Sequence, residues 1–236
     1  MPAYRSDAEG EIRDAVVDKI RTYRPKARII HEINALNAYA GATCRIDVLV
    51  VDRTEIIAVE IKSKKDKLDR LEAQISAMRG VAHRTVVALH EKFLVEKQTN
   101  RHAAHYERDG VFYMRRPPMI PNIGHRDVDL WVYPQKRRVM DPGAVDFYDA
   151  WHFPYRNIEA ALPDGAISML WRAELLALCQ SHVLPCGRRT TMGKLIAALR
   201  WHCTGAEITK GVCAALRARQ CVEADPPITC EVKATE

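Results

Sequence analysis

The chain has 236 residues, a formal net charge of +6 and a pI near 9.0. That length allows one sizeable core with a small appendage, and 47% hydrophobic with 28% charged residues excludes a disordered or fibrous chain. With no apolar run of membrane-spanning length and no secretory signal, the sequence predicts a cytoplasmic protein without a membrane partner.

The first half of the chain alternates predicted helices and strands. Ile12, Val16 and Ile20 recur at helical spacing, whereas the apolar β-branched runs that follow are typical of buried strands. The second and third strands are separated by a short turn and should form an antiparallel hairpin. The predicted order is a helix (7–22), strands (27–33, 44–51, 55–62), a helix (66–80) and strands (84–90, 110–115).

The second half changes character twice. Residues 116–165 are Pro-rich and irregular, apart from a strand candidate in VDLWVYP, and three short helices are predicted within 167–183, 191–203 and 206–220. We therefore predict a core over 1–115, an irregular extension over 116–165, a basic helical region over 166–222 and a flexible tail over 223–236. The fold class expected is α/β, with a central mixed sheet flanked by helices and a C-terminal helical region.

The cysteines do not indicate disulfides, because their number is odd and no CxxC pair occurs. A zinc site in the C-terminal region is an open alternative, although its spacing fits no common zinc finger. Small apolar side chains packed in helices are the favoured interpretation. The potential zinc ligands are Cys179, His182, Cys186, His202 and Cys203.

Three charged residues interrupt the predicted hairpin. Glu60 and Lys62 are two apart on one strand and so share a face, and Asp47 lies on the neighbouring strand. Buried charges cost several kcal/mol unless they are paired or bind a metal. If the two faces agree, two carboxylates and one ammonium meet at one edge of the sheet, which suits a hard dication such as Mg²⁺.

The chemistry that fits this group is phosphodiester hydrolysis. Asp47 and Glu60 would hold the metal, with the backbone carbonyl of Ile61 completing its shell, and Lys62 would serve the attacking water or the developing charge. An acid-x-Lys pattern is common by chance, and Glu231 with Lys233 forms a second one. The alternative is therefore a surface Glu and Lys in a weak cross-strand network.

RIDVLVV and AVEIKS, with these charged residues in place, resemble the PD-(D/E)XK nuclease superfamily. The longer run from Arg45 to Met78 resembles a little-described bacterial and phage branch, in which a polar turn and a helix with R-L-x-x-Q follow the lysine. One departure is Ile46, where the superfamily's name has Pro. The resemblance implies a restriction-endonuclease-like core and Mg²⁺-dependent cleavage of DNA, with Mn²⁺ expected to substitute.

Carried over by residue, the resemblance marks Asp47, Glu60 and Lys62 as catalytic. It adds Glu11 in the first helix, as a further carboxylate near the metal, and Gln74 in the second helix. A capping-turn glutamate and a solvated amide are the alternatives for these two residues. Glu32 is another candidate acid, and Asp66 is expected to cap its helix.

The positive charge is concentrated between residues 180 and 220, where seven cations face one anion, Glu207. Such a patch suits a polyanion, although a solvated helix face is equally compatible with it. DNA is the expected partner, and a homodimer is left open. A different class of function is a nuclease-like fold retained as a DNA- or protein-binding module, or as an accessory subunit of a phage or repair complex. The predicted phosphate contacts are Lys64, Lys65, Arg70, Arg188, Arg189 and Lys194.

Overall fold

The computed structural model describes residues 7–37, 42–124, 127–152 and 161–229. Its helices are α1 (Asp7–Tyr23), α2 (Leu71–Arg79), α3 (Phe147–Ala150), α4 (Arg172–Ser181), α5 (Met192–His202) and α6 (Gly205–Ala218). Its strands are β1 (Arg28–Asn37), β2 (Ala42–Val51), β3 (Ile56–Lys62), β4 (Arg84–His90), β5 (Val95–Gln98), β6 (Tyr106–Arg108), β7 (Val111–Arg116) and β8 (Asp129–Tyr133). Three short 3₁₀ turns lie at Glu91–Phe93, Arg101–Ala103 and Asp164–Met169.

Five strands form a central sheet in the order β1-β2-β3-β4-β8. The β1–β2 pair is antiparallel and the β4–β8 pair is parallel, so the sheet is mixed. This confirms the predicted α/β class with a mixed sheet flanked by helices. All seven residues of β3 are buried, as its apolar, β-branched sequence requires of a strand covered on both faces. A second sheet has the order β5-β7-β6.

The chain divides into two compact units whose segments interleave along the sequence. The first unit takes the described residues of 1–25, 59–75 and 85–155, and the second takes those of 26–58, 76–84 and 156–236. The first therefore holds α1, the end of β3, the start of α2 and all strands from β4 onward. The second groups β1 and β2 with the three C-terminal helices.

Arg28 fixes β1 to the end of α6 in the second unit. Its buried guanidinium donates to the carbonyl oxygens of Leu216, Arg217 and Arg219, at 2.8, 3.0 and 2.6 Å. The last turn of a helix leaves its carbonyls without partners and carries a partial negative charge, so a cation is favourable there. This contact explains how an arginine can be buried at the start of β1.

The segment predicted as a flexible tail begins with residues that belong to the fold. The Asp225 carboxylate accepts from the N–H of Ile29 at 2.8 Å, and the Asp225 N–H donates back to the Ile29 carbonyl at 2.9 Å. The N–H of His31 donates to the carbonyl of Glu223. Residues 223–225 thus extend the pairing of β1, whereas 230–236, including Glu231 and Lys233, lie outside the described residues.

The helix predicted over 66–80 begins five residues later, at Leu71. Asp66 does not cap it, which corrects the expectation from sequence. Its carboxylate instead accepts from the N–H and the hydroxyl of Ser63, at 2.8 and 2.6 Å, and closes a turn directly after β3. An Asp side chain forms such local turns as readily as it caps helices, so the pattern alone favoured the wrong partner.

Candidate active site on strand β3

Glu60, Lys62 and Gln74 form a closed triangle of hydrogen bonds in the first unit. The Lys62 ammonium donates to Glu60 Oε1 at 2.7 Å and to Gln74 Oε1 at 2.8 Å, and Gln74 Nε2 donates to the same Glu60 oxygen at 2.5 Å. Glu60 and Lys62 share a face because they are two residues apart on β3. Gln74 reaches them from the first turn of α2, as the resemblance implied.

The second carboxylate oxygen of Glu60 has no hydrogen-bond partner among the described residues and is fully buried. The Glu60 side chain is only 3% exposed, so solvent does not replace the missing partner. Burial raises the pKa of Glu60, although the nearby Lys62 ammonium opposes that shift. An unsatisfied buried acceptor typically costs about 1–3 kcal/mol. A proton or a cation at this oxygen would remove that cost.

The loop that follows β3 presents the predicted phosphate contacts beside the triangle. Lys64, Lys65 and Arg70 are all exposed, and they lie between Lys62 and the start of α2. The loop is fixed by Lys92, whose ammonium donates to the carbonyl oxygens of Lys64 and Asp66. Sequence reasoning missed Lys92, because a lysine in a polar 3₁₀ turn carries no signal for a partner 26 residues away.

The other predicted acids occupy different surroundings. Asp47 is half-buried on β2, the neighbour of β3 in the sheet. Glu11 is exposed on α1, and its charge acts on His90, whose pKa is lowered chiefly by burial. Ile61 is buried between Glu60 and Lys62 in the chain. Glu32 forms an ion pair with Arg45 at 2.8 Å, which gives it a partner of its own.

The donor set determines which metal could be held here. Among the described residues there is no group of three or more His, Cys, Asp or Glu side chains that could bind a metal ion. A zinc site normally needs three or four such ligands, so neither the triangle nor the C-terminal cysteines match one. Mg²⁺ is commonly held by one or two carboxylates, with water and substrate phosphates filling the remaining positions. The unpaired Glu60 oxygen fits that requirement.

Arg188, Arg189 and Lys194 are exposed and lie before and within α5 in the second unit. They remain available to a polyanion. One of the cations counted with them, Arg219, is not, because it is buried and binds the Glu174 carboxylate through two nitrogens at 2.7 and 2.5 Å. The exposed charge of the C-terminal region is therefore smaller than the sequence count suggests.

Comparison with known protein families gives a match over part of the chain. Residues 3–103 match the family model described as Bacteriophage P4 protein cII, which is less than half of the chain but includes the whole triangle. No curated protein and no solved structure matches the chain. In the described part of the chain, no helix is long and apolar enough to cross a membrane.

Proposed function

We propose that the chain is a metal-dependent DNA nuclease, a hydrolase of phosphodiester bonds with a restriction-endonuclease-like core. The observation that carries this proposal is the buried Glu60 carboxylate. One of its oxygens is held by Lys62 and Gln74, and the other has no hydrogen-bond partner among the described residues. A carboxylate beside a lysine suits phosphoryl chemistry, because the carboxylate can hold a metal cation while the ammonium stabilises the negative charge that develops on the phosphate. The match to a phage protein family is compatible with a phage setting.

The residues have separable roles in this proposal. Glu60 would hold Mg²⁺, or Mn²⁺ in its place, with Asp47 as the second carboxylate and the Ile61 carbonyl as a further ligand. When bound, the metal would polarise a phosphate oxygen and acidify a water molecule. Lys62 would orient the attacking water or neutralise charge on the phosphate, and Gln74 would hold Lys62 and Glu60 in register. Lys64, Lys65 and Arg70 would bind the DNA backbone.

A second candidate is a nuclease-like fold that binds DNA or protein without cutting it. It is favoured by the absence of a three-ligand metal group among the described residues and by the ion pair that already occupies Glu60 Oε1. In this case the triangle would be a structural device within β3 and α2. Metal binding at Glu60 separates the two candidates.

The test combines Mg²⁺-dependent stability with cleavage of labelled duplex, branched and single-stranded DNA. At Mg²⁺ ten times above its Kd, binding should stabilise the parent by about 1.4 kcal/mol. For a chain of this size that is a rise in Tm of roughly 3–5 °C. Glu60→Gln should abolish both the shift and the cleavage.

The matched control is Glu55→Gln, which changes another buried glutamate that pairs with Arg84, outside the triangle. It should keep both the Mg²⁺ shift and the cleavage, even if its own Tm is lower. Equal Mg²⁺-induced rises in Tm for the parent and for Glu60→Gln would show that Glu60 does not bind the metal, and would favour the binding module.

A further inference from the structure

The small sheet presents planar and cationic side chains on one face. Tyr106 on β6 lies opposite Tyr113 on β7, and Glu96 on β5 lies opposite Arg115 on β7. Alternate residues of a strand share a face, so Arg115 joins Tyr113 and Arg108 joins Tyr106. The register thus places two tyrosines, two arginines and one glutamate together.

These side chains form a stacked ladder. The Tyr106 and Tyr113 rings lie 5.7 Å apart and are inclined by only 17°. The Arg108 guanidinium lies over the Tyr113 ring at 4.5 Å, and the Arg115 guanidinium lies over the Tyr106 ring at 5.4 Å. Each tyrosine is thus paired with a cation that can bind a phosphate or stack on a base.

The ladder is open to solvent and is not part of a core. Both tyrosines are half-buried, and the Arg108 side chain is 55% exposed. Its one carboxylate, Glu96, binds Arg108 at 2.8 Å and also accepts from the Tyr106 hydroxyl. A cross-strand aromatic pair would stabilise the sheet without arginines over both rings. The two guanidinium groups face a single carboxylate, Glu96, so this set of side chains carries a net positive charge.

A basic cavity of about 350 Å³ continues from this face and is lined in part by Tyr106 and Arg115. Its other cations are Lys136, Arg137 and Arg138, and its one carboxylate is Glu91. Glu91 and Asp149 neutralise Arg138, but Arg137 donates to backbone carbonyls. Lys136 also pairs with Glu91, at 2.8 Å. Arg115 and Arg137 are therefore the lining cations that could bind a phosphate group.

The sheet is attached to the loop that follows the candidate active site. Lys92, which binds the carbonyls of Lys64 and Asp66, lies in the 3₁₀ turn Glu91–Phe93. β5 begins two residues after that turn, at Val95. A ligand bound to the ladder would therefore be bound in the same unit that contains Glu60 and Lys62.

We infer that this face, defined by Tyr106, Tyr113, Arg108 and Arg115, binds single-stranded DNA. Bases in a duplex are stacked on one another, whereas those of a single strand expose their faces to tyrosine rings and guanidinium planes. The arginines and the neighbouring cavity would take the phosphates. The inference rests on the proposed function for the choice of DNA and names the form of its substrate.

The experiment measures binding of fluorescein-labelled dT20, the matching duplex and rU20 by anisotropy, with full-length protein in EDTA. The parent should bind dT20 more tightly than the duplex and the RNA. The double variant Tyr106→Leu, Tyr113→Leu should lose dT20 affinity by at least about fivefold, the lower bound for loss of one stacked base. Arg108→Lys with Arg115→Lys should lose part of that affinity, because lysine keeps the charge without the planar group.

The matched control is Lys97→Ala, on β5 but on the opposite face, since Lys97 lies opposite Met114. It removes a cation from the same sheet and should leave dT20 affinity within twofold. Circular dichroism of each variant checks that the sheet survives.

An unchanged dT20 affinity in the folded tyrosine variant, or tighter binding of duplex or RNA by the parent, would overturn the inference. Binding in EDTA does not depend on cleavage. Tight dT20 binding without Mg²⁺-dependent cutting would leave the inference standing while the proposed function fails. If the tyrosine variant still cuts DNA with Mg²⁺ and binds dT20 as tightly as the parent, the inference fails and the proposed function stands.

Discussion

Glu60 combines two features that stability alone does not favour. It is a buried acid with a raised pKa, and one of its oxygens has no hydrogen-bond partner among the described residues. Lys62 and Gln74 both direct their polar atoms to the other oxygen. Such a group costs folding free energy and is retained where function needs a poised charge.

The pH dependence of stability should reveal this charge. Because the folded-state pKa of Glu60 lies above its unfolded value, the folded state holds the proton more tightly. The contribution of Glu60 protonation to the unfolding free energy is therefore complete below the ordinary glutamate pKa, about 4.3. It is lost as pH rises through the folded-state pKa. The unfolding free energy of the parent minus that of Glu60→Gln should fall as pH rises from about 4 upward.

Urea denaturation of both proteins across a pH series measures that difference. A difference that is constant or increases with pH would contradict the raised pKa.

Lys62→Met should separate metal binding from catalysis. The change roughly keeps the volume of the buried side chain but removes the ammonium that binds Glu60 Oε1 and repels a metal cation on the same carboxylate. Mg²⁺ affinity, measured by calorimetry, should hold or rise. Cleavage should fall by ~10²–10⁴-fold, the usual contribution of a positioned acid–base group. Cleavage equal to that of the parent would remove Lys62 from the mechanism.

At the level of the elements, one close backbone approach can be tested with a pair of glycines. A Cβ on Gly165, in the 3₁₀ turn Asp164–Met169, would lie 2.5 Å from the carbonyl oxygen of Gly80. A backbone atom cannot rotate away, so Gly165→Ala should destabilise by about 1–3 kcal/mol, as overpacking does. Gly193→Ala in α5 meets no described atom within 4 Å and should stabilise by up to ~1 kcal/mol. Urea midpoints of both variants measure the contrast, and equal effects would contradict the close approach.

Elements with strong apolar periodicity were predictable from the sequence, and those held by polar contacts were not. α1, β3 and β4 have buried faces that their residues encode directly. β5 is exposed at all four positions, so no alternation marks it as a strand. Trp171, the residue before α4, is apolar yet 58% exposed, with Arg219 over its ring at 4.4 Å.

The candidate site shows the same division. Glu60 and Lys62 lie on the same face of β3 because they are two residues apart, so their spacing in the sequence was enough to predict this. The position of Gln74 came from the resemblance, because its distance from β3 depends on a loop whose turn was misassigned to the helix. The role of Lys92 depends on a contact between the polar loop and a 3₁₀ turn, which no local pattern encodes.

Over the whole molecule, cations are distributed between the two units. The first unit carries Lys64, Lys65, Arg70 and the arginines of the small sheet, and the second carries the exposed cations around α5. Each group can bind phosphate independently, and counterion release makes such contacts additive in the salt dependence. The contribution of the second unit can therefore be measured alone.

Neutralising Arg188, Arg189 and Lys194 to Ala should weaken DNA binding similarly for all sequences. The log–log slope of affinity against salt should flatten by about 0.9 for each lost duplex contact and about 0.7 for each lost single-strand contact. The matched control changes three other exposed cations, Lys26, Arg53 and Arg101, and should leave the slope unchanged. Anisotropy titrations from low to high salt give both slopes. A triple variant with the parent slope would place the DNA surface elsewhere than on these three residues, because only contacts made to phosphate contribute to this dependence.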